Sequence, residues 1–248
     1  MTTDTFPYDS SYYDVIDATA VSSARSIVPW LLATLAPRSV MDVGCGRGAW
    51  LSVVRENGVD AVTGCDGTYV SLEELRIPRE CFHGVDLGRP FELPGSHDLA
   101  MCLEVAEHLP LKMSRKLVEQ LTLHAPVVLF SAAVPGQRGT QHVNEQWHEF
   151  WTRLFDERDF QVFDVIRPRV FNDHSVAWYY RQNMFLYAKR GSDFAATLCE
   201  HQLPGRQFQV LAAHVAAPLM SFKGLVKMLP SAFWRDVRNR IAGMGRRR

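Results

Sequence analysis

The sequence predicts an α/β fold, a parallel sheet with helices on both faces. Short apolar runs alternate with segments of helical periodicity through the middle of the 248-residue chain. The first run, 40–43, leads straight into a glycine turn, Gly44-Cys45-Gly46-Arg47-Gly48. An acid stands at or just beyond the end of each of the first three runs, at Asp42, Asp66 and Asp86.

Taken in order, residues 21–36 predict a helix, because Ile27, Leu31 and Leu35 recur on one face and Pro37 stops it. The first strand is 40–43 and the next helix 49–57, closed by Gly58. The second strand is 61–65, ending at Asp66-Gly67. The third is 82–85, before Asp86-Leu87-Gly88. The fourth, 98–103, follows a Pro94-Gly95 turn. Pro110 opens a helix with Met113, Leu117 and Leu121 on one face. A fifth strand covers 127–131, a helix 144–158, and late strands 160–166 and 183–188.

Composition narrows the function. Hydrophobic content of 47% suits a globular core. The formal net charge is zero, so the whole molecule does not favour nucleic acid. No run of about 18 apolar residues could span a bilayer, and the N-terminus lacks the basic flank and apolar region of a secretory signal. The five cysteines, 45, 65, 81, 102 and 199, form no C-x-x-C pair and read as reduced thiols. A cytoplasmic protein is expected. Residues 218–248 hold eight basic side chains against one acid, with Phe222, Leu225, Val226, Leu229, Phe233 and Trp234 interleaved. That tail is read either as a surface helix with a frayed end or as a peripheral contact with anionic lipid. A homodimer is left open.

The glycine spacing G-x-G-x-G differs from the G-x-G-x-x-G of dinucleotide sites, and Asp42 suits an ammonium or ribose better than a pyrophosphate. Val43-Gly44-Cys45-Gly46-Arg47-Gly48, with Asp42 before it, resembles the first motif of class I S-adenosylmethionine (SAM) methyltransferases. The resemblance covers about residues 20–190. It implies a Rossmann-like, seven-stranded, mostly parallel sheet. It also implies a methyltransferase domain over 1–190, whose first 38 residues form a helical cover, and an extension over 191–248 with the basic amphipathic tail. Gly44 and Gly46 would face the methionine moiety. Asp66, 24 residues after Asp42, would hold the ribose, with Gly67 beside it. Asp86 and Leu87 would meet the adenine, and Leu103 would complete the cofactor wall.

The acceptor chemistry is read from Leu103-Glu104-Val105-Ala106-Glu107-His108 after the fourth strand. On one turn of helix, Glu104, Glu107 and His108 would share a face and make half of a divalent-metal site, for Mg²⁺ or Mn²⁺. The turn resembles metal-dependent O-methyltransferases, including ubiquinone-pathway enzymes and those acting on small-RNA 3′ ends. His142, in the loop after the fifth strand, is a fourth ligand or the general base, and His108 is the other candidate base. Asn144, Glu145, Gln146, Trp147 and Trp151 suggest a sugar or polar-ring site.

Residues 130–187 resemble bacterial glycan methyltransferases, including the metal-dependent sugar O-methyltransferases of mycobacterial methylated-mannose polysaccharide. Residues 171–174 and 178–181 are read as core packing or an aromatic wall. The expected activity is therefore SAM-dependent O-methylation of a sugar or glycan hydroxyl. The alternatives are RNA 3′ ends, a small phenol or quinone, or a catalytically silent SAM-binding subunit.

Overall fold

A computed structural model describes residues 10–202. The basic tail, and any contact it makes, lies outside the described residues. Seven strands form one sheet in the order β3-β2-β1-β4-β5-β7-β6. These are β1 (Ser39–Val43), β2 (Ala61–Asp66), β3 (Phe82–Gly84), β4 (Leu99–Leu103), β5 (Val127–Ser131), β6 (Phe160–Phe163) and β7 (Phe185–Lys189). Every pairing is parallel except those of β7, which runs antiparallel to both β5 and β6.

The strands are short, apolar and buried on both faces, as a sheet covered by crossover helices requires. Their side chains alternate between two cores. Val40, Leu99, Met101, Val127 and Leu129 join one core with α1 (Ser10–Leu35), α2 (Ala49–Glu56) and α7 (Asp193–His201). Met41, Val43, Ala100, Cys102, Val128 and Phe130 join the other, with α3 (Ser114–His124) and α4 (His148–Asp156). Two shorter helices, α5 (Arg167–Val170) and α6 (Trp178–Asn183), close the segment between β6 and β7.

Several boundaries move from the predicted ones. Helix α1 begins at Ser10 and carries Pro29 inside it. Its stripe Ala24, Ile27, Val28 and Leu31 is buried against the sheet, and Ala36 at φ 45° turns the chain out before Pro37. The helix predicted over 144–158 starts only at His148, because Asn144 is buried and bonds elsewhere. The strand predicted over 160–166 ends at Phe163. Beyond it Arg167 is 2% exposed and ion-paired with Asp164, and its guanidinium carbon lies 4.1 Å from the centre of the Phe185 ring. Helix α7 carries the core past residue 190, burying Ala195 and Leu198.

The strand order reverses between β1 and β4. In open α/β sheets the crevice outside the carboxyl ends at such a point is where ligands sit. The glycine turn after β1, Asp66 at the end of β2 and Glu104 after β4 all come to this crevice.

Candidate active site

The turn after β1 is held by main-chain bonds from Gly44 N–H and Cys45 N–H to the Cys65 carbonyl, at 2.7 and 3.2 Å. Gly44 sits at φ 81°. A Cβ there would lie 2.2 Å from Cγ2 of Val105, so glycine alone lets the turn close on the residue after Glu104. Gly46, at φ 54°, has no atom of the described residues within 4 Å of the place a Cβ would take. Its backbone faces open space, as a main chain that a ligand approaches must.

Asp66 binds this turn to the end of β2. Its Oδ2 accepts from Gly46 N–H at 2.7 Å, and its Oδ1 from Gly67 N–H and from the Tyr69 hydroxyl, both at 2.6 Å. Asp42 is 3% exposed. Burial, and then the Asp66 charge, push its carboxyl up to about 8. Asp86 lies outside this cluster. Its exposed carboxylate accepts from Gly88 N–H at 3.0 Å and pairs with Arg89 at 3.2 Å, while Leu87 is buried beneath.

The turn after β4 corrects the expectation of one helical turn with three ligands on a face. Glu104 is in the left-handed region, at φ 55°. A single 3-10 turn then covers Ala106–His108. The break leaves Glu104 beside Glu107 but turns its carboxylate to two amides, outside the group that Glu107 forms with the histidines. Its Oε2 accepts from Gln137 Nε2 at 2.8 Å and its Oε1 from Asn183 Nδ2 at 3.1 Å. Burial raises the Glu104 carboxyl, while bonds from Asn183, Gln137 and Ser131 act the other way.

Glu107 and His108 instead meet His142, with ligand atoms of all three within 4.8 Å of one another. Glu107 is fully buried, yet neither carboxylate oxygen has a hydrogen-bond partner among the described residues. Burial first, and the neighbouring Glu104 second, push its carboxyl well above the ordinary range. The Glu107 carbonyl accepts from Val143 N–H and Asn144 N–H at 2.9 and 3.0 Å, which draws the His142 loop onto the turn. The rings of His108 and His142 meet edge to face at 4.9 Å. Desolvation of its inner side, and then His142, lower His108 to about 4.

Glu145 fixes His142. Its carboxylate accepts from Gly136 N–H at 2.8 Å, Arg138 N–H at 2.7 Å and His142 Nδ1 at 2.9 Å. A carboxylate only accepts, so Nδ1 carries a proton, and in the neutral ring the lone pair lies on Nε2. Gly139 leaves room for this ring, since a Cβ there would stand 2.2 Å from His142 Nε2.

The polar run expected to face a sugar is largely turned inward. Asn144 is 3% exposed and donates to Ala106 O and Ser114 Oγ. Gln146 donates to Asn144. Trp151 is buried in the core, and Trp147 stays half-exposed. Gln137, Gln182 and Asn183 bond to one another behind Glu104. Tyr180 is buried and accepts from Trp50 Nε1 at 3.3 Å, which makes 178–181 partly core, while Phe171 is exposed. Sequence reasoning missed Tyr69, Gln137 and Asn183. Only Tyr69, three residues after Asp66, had a local signal.

A family model described as a methyltransferase domain matches residues 19–183. The chain belongs to that family. Its sheet order, glycine turn and strand-end acids are those of the class I SAM-dependent methyltransferases, and the protein is an enzyme of that kind. Among solved structures, this methyltransferase superposes on magnesium protoporphyrin IX methyltransferase from Synechocystis PCC 6803 with a TM-score of 0.52. The two are 18% identical, over 74% of this chain and 86% of that one. An O-methyltransferase family protein from Burkholderia thailandensis gives a TM-score of 0.53 at 15% identity, over 75% of this chain and 61% of that one.

Among curated relatives, a ubiquinone biosynthesis O-methyltransferase of Bordetella avium is 33% identical over 92 residues, covering 32% of this chain and 36% of the relative. The namesake from Pseudomonas paraeruginosa is 35% identical over 85 residues, with the same coverage. The chain thus spans about a third of the length of these relatives.

Proposed function

We propose that the protein transfers a methyl group from SAM to a hydroxyl of a small molecule, at the Glu107–His108–His142 cluster. The observation that carries this reading is Glu107, a buried carboxylate beside two imidazoles, whose two oxygens have no hydrogen-bond partner among the described residues. Burying such a group is costly unless a ligand satisfies it. One carboxylate and two imidazoles suit a divalent cation such as Mn²⁺ or Mg²⁺. Glu145 supplies the outer carboxylate that orients a ligating histidine. The residues therefore fit the metal expected from the sequence, with Glu107, His108 and His142 to hold it and Glu104 nearby.

The cofactor would lie over Gly44 and Gly46, with its ribose on Asp66 and its purine towards Leu87 and Asp86. A bound cation would stabilise negative charge on the acceptor oxygen and so lower that hydroxyl's pKa. His108 is neutral at pH 7, and the bond from His142 Nδ1 to Glu145 places the lone pair of the neutral His142 ring on Nε2. Either nitrogen can take the acceptor proton. The acceptor oxygen attacks the methyl carbon in line, the carbon–sulfur bond breaks, and methyl ether and S-adenosylhomocysteine (SAH) leave.

The acceptor class we favour is a small phenol. Exposed Val143 and half-exposed Trp147 belong to the loop that carries His142, and exposed Leu111 opens the next turn after His108. The curated relatives carry the name ubiquinone biosynthesis O-methyltransferase. A sugar or glycan hydroxyl is the second reading, supported by Trp147, a half-exposed ring of the sort on which sugars stack. RNA ends lack support from charge. The test is SAH release from SAM with panels of phenols, catechols and saccharides, with EDTA and with Mg²⁺ or Mn²⁺ restored. Metal-restored turnover on a hydroxyl acceptor is expected. Full turnover in metal-free protein would remove the metal, and turnover only on nitrogen or carbon acceptors would remove O-methylation.

A further inference from the structure

We propose that Tyr69 competes with the cofactor's ribose for Asp66, so that SAM binding must displace the phenol. This rests on the reading that Asp66 grips the ribose. Each carboxylate oxygen offers two lone-pair positions. Oδ1 is filled by Gly67 N–H and the Tyr69 hydroxyl, both at 2.6 Å. Oδ2 holds Gly46 N–H at 2.7 Å and keeps one position. A vicinal diol that donates to both oxygens needs one position on each, so one donor on Oδ1 must leave.

The three donors differ in what releasing them would disturb. Gly46 and Gly67 donate from the main chain of two turns, and releasing either would remodel the end of a strand. Tyr69 donates from a side chain on the surface loop after β2, and the residue is 56% exposed. Its ring lies on bare backbone, for a Cβ on Gly67 would fall 2.0 Å from the Tyr69 Cε1. Glycine beside Asp66 therefore allows the phenol to reach the carboxylate. Binding then exchanges one hydrogen bond for another. The exchange weakens every ligand that brings the ribose diol, substrate SAM and product SAH alike. It leaves ligands without the diol unaffected.

Calorimetric titration of the full chain with SAM and SAH tests the exchange in the parent, Tyr69→Phe and Asp66→Asn. Tyr69→Phe keeps the ring and removes the competing donor. Both ligands are expected to bind it about 3- to 10-fold more tightly, the equivalent of one net hydrogen bond. An SAH analogue lacking both ribose hydroxyls should bind parent and variant equally. Equal or weaker SAM binding by Tyr69→Phe would overturn the proposal. Asp66→Asn separates the two layers. If it binds SAM as the parent does, the ribose assignment itself falls. If it loses affinity tenfold or more while Tyr69→Phe is unchanged, only the competition falls.

Discussion

Glu107 is predicted to trade stability for activity, and the trade can be measured. Its carboxyl is fully buried, with no hydrogen-bond partner for either oxygen among the described residues. An unsatisfied buried polar group costs about 1–3 kcal/mol. Glu107→Met keeps the length of the side chain and removes the polar atoms. In chelator, the variant should therefore be about 1–3 kcal/mol more stable than the parent. For a chain of this size, that raises Tm by roughly 2–4 °C per kcal/mol. Thermal melts followed by circular dichroism give the number. Added Mn²⁺ should then stabilise the parent and not the variant, since only the parent binds it. SAM turnover should be lost in the variant. A Glu107→Met protein that melts below the parent in chelator would refute the reasoning, because it would mean that the protein itself already satisfies the carboxylate.

Gly44→Ala forces alanine into the left-handed region, at about 1–2 kcal/mol, and drives a Cβ to 2.2 Å from Val105; SAM affinity should fall at least tenfold by calorimetry. Glu145→Gln removes the charged acceptor that orients His142, and metal affinity or kcat should drop roughly 10- to 100-fold, with SAM affinity unchanged. His148 is buried, and burial first, then Arg167, hold its pKa down at about 4. The unfolded chain takes up its proton near pH 6.5 and the folded one only near 4. Stability is therefore fully present above pH 6.5 and declines as pH falls towards 4, by about 3 kcal/mol in all. Urea melts at pH 7 and pH 4.5 should show that decline, and His148→Phe should reduce it.

The sheet could be read from the sequence because its signals are local. Five apolar runs, each ended by a turn, predict five of the strands within about two residues, and the glycine turn marks the point where the order reverses. Of the two late strands, β7 also falls within two residues of its prediction, while β6 ends three residues early for a tertiary reason. Arg167 is buried against Asp164 and Phe185, which no period of two or 3.6 reveals. The site divides in the same way. Glu107, His108 and His142 were found because titratable residues cluster in two short segments. Glu104 looked equivalent to Glu107 at helical spacing. One left-handed residue broke that helix, and amides 33 and 79 residues away claimed the carboxylate. Gln137 and Asn183 had no sequence signal, since each matters only through a partner distant in the chain.

The central claim, a divalent-metal centre on Glu107, His108 and His142, is tested most directly by electron paramagnetic resonance of Mn²⁺ titrated into the chelator-stripped full chain. One bound Mn²⁺ per chain is expected, with nitrogen couplings from two imidazoles, and it should be lost in Glu107→Met. Mn²⁺ that stays free in the parent, or binds equally well to Glu107→Met, would contradict it.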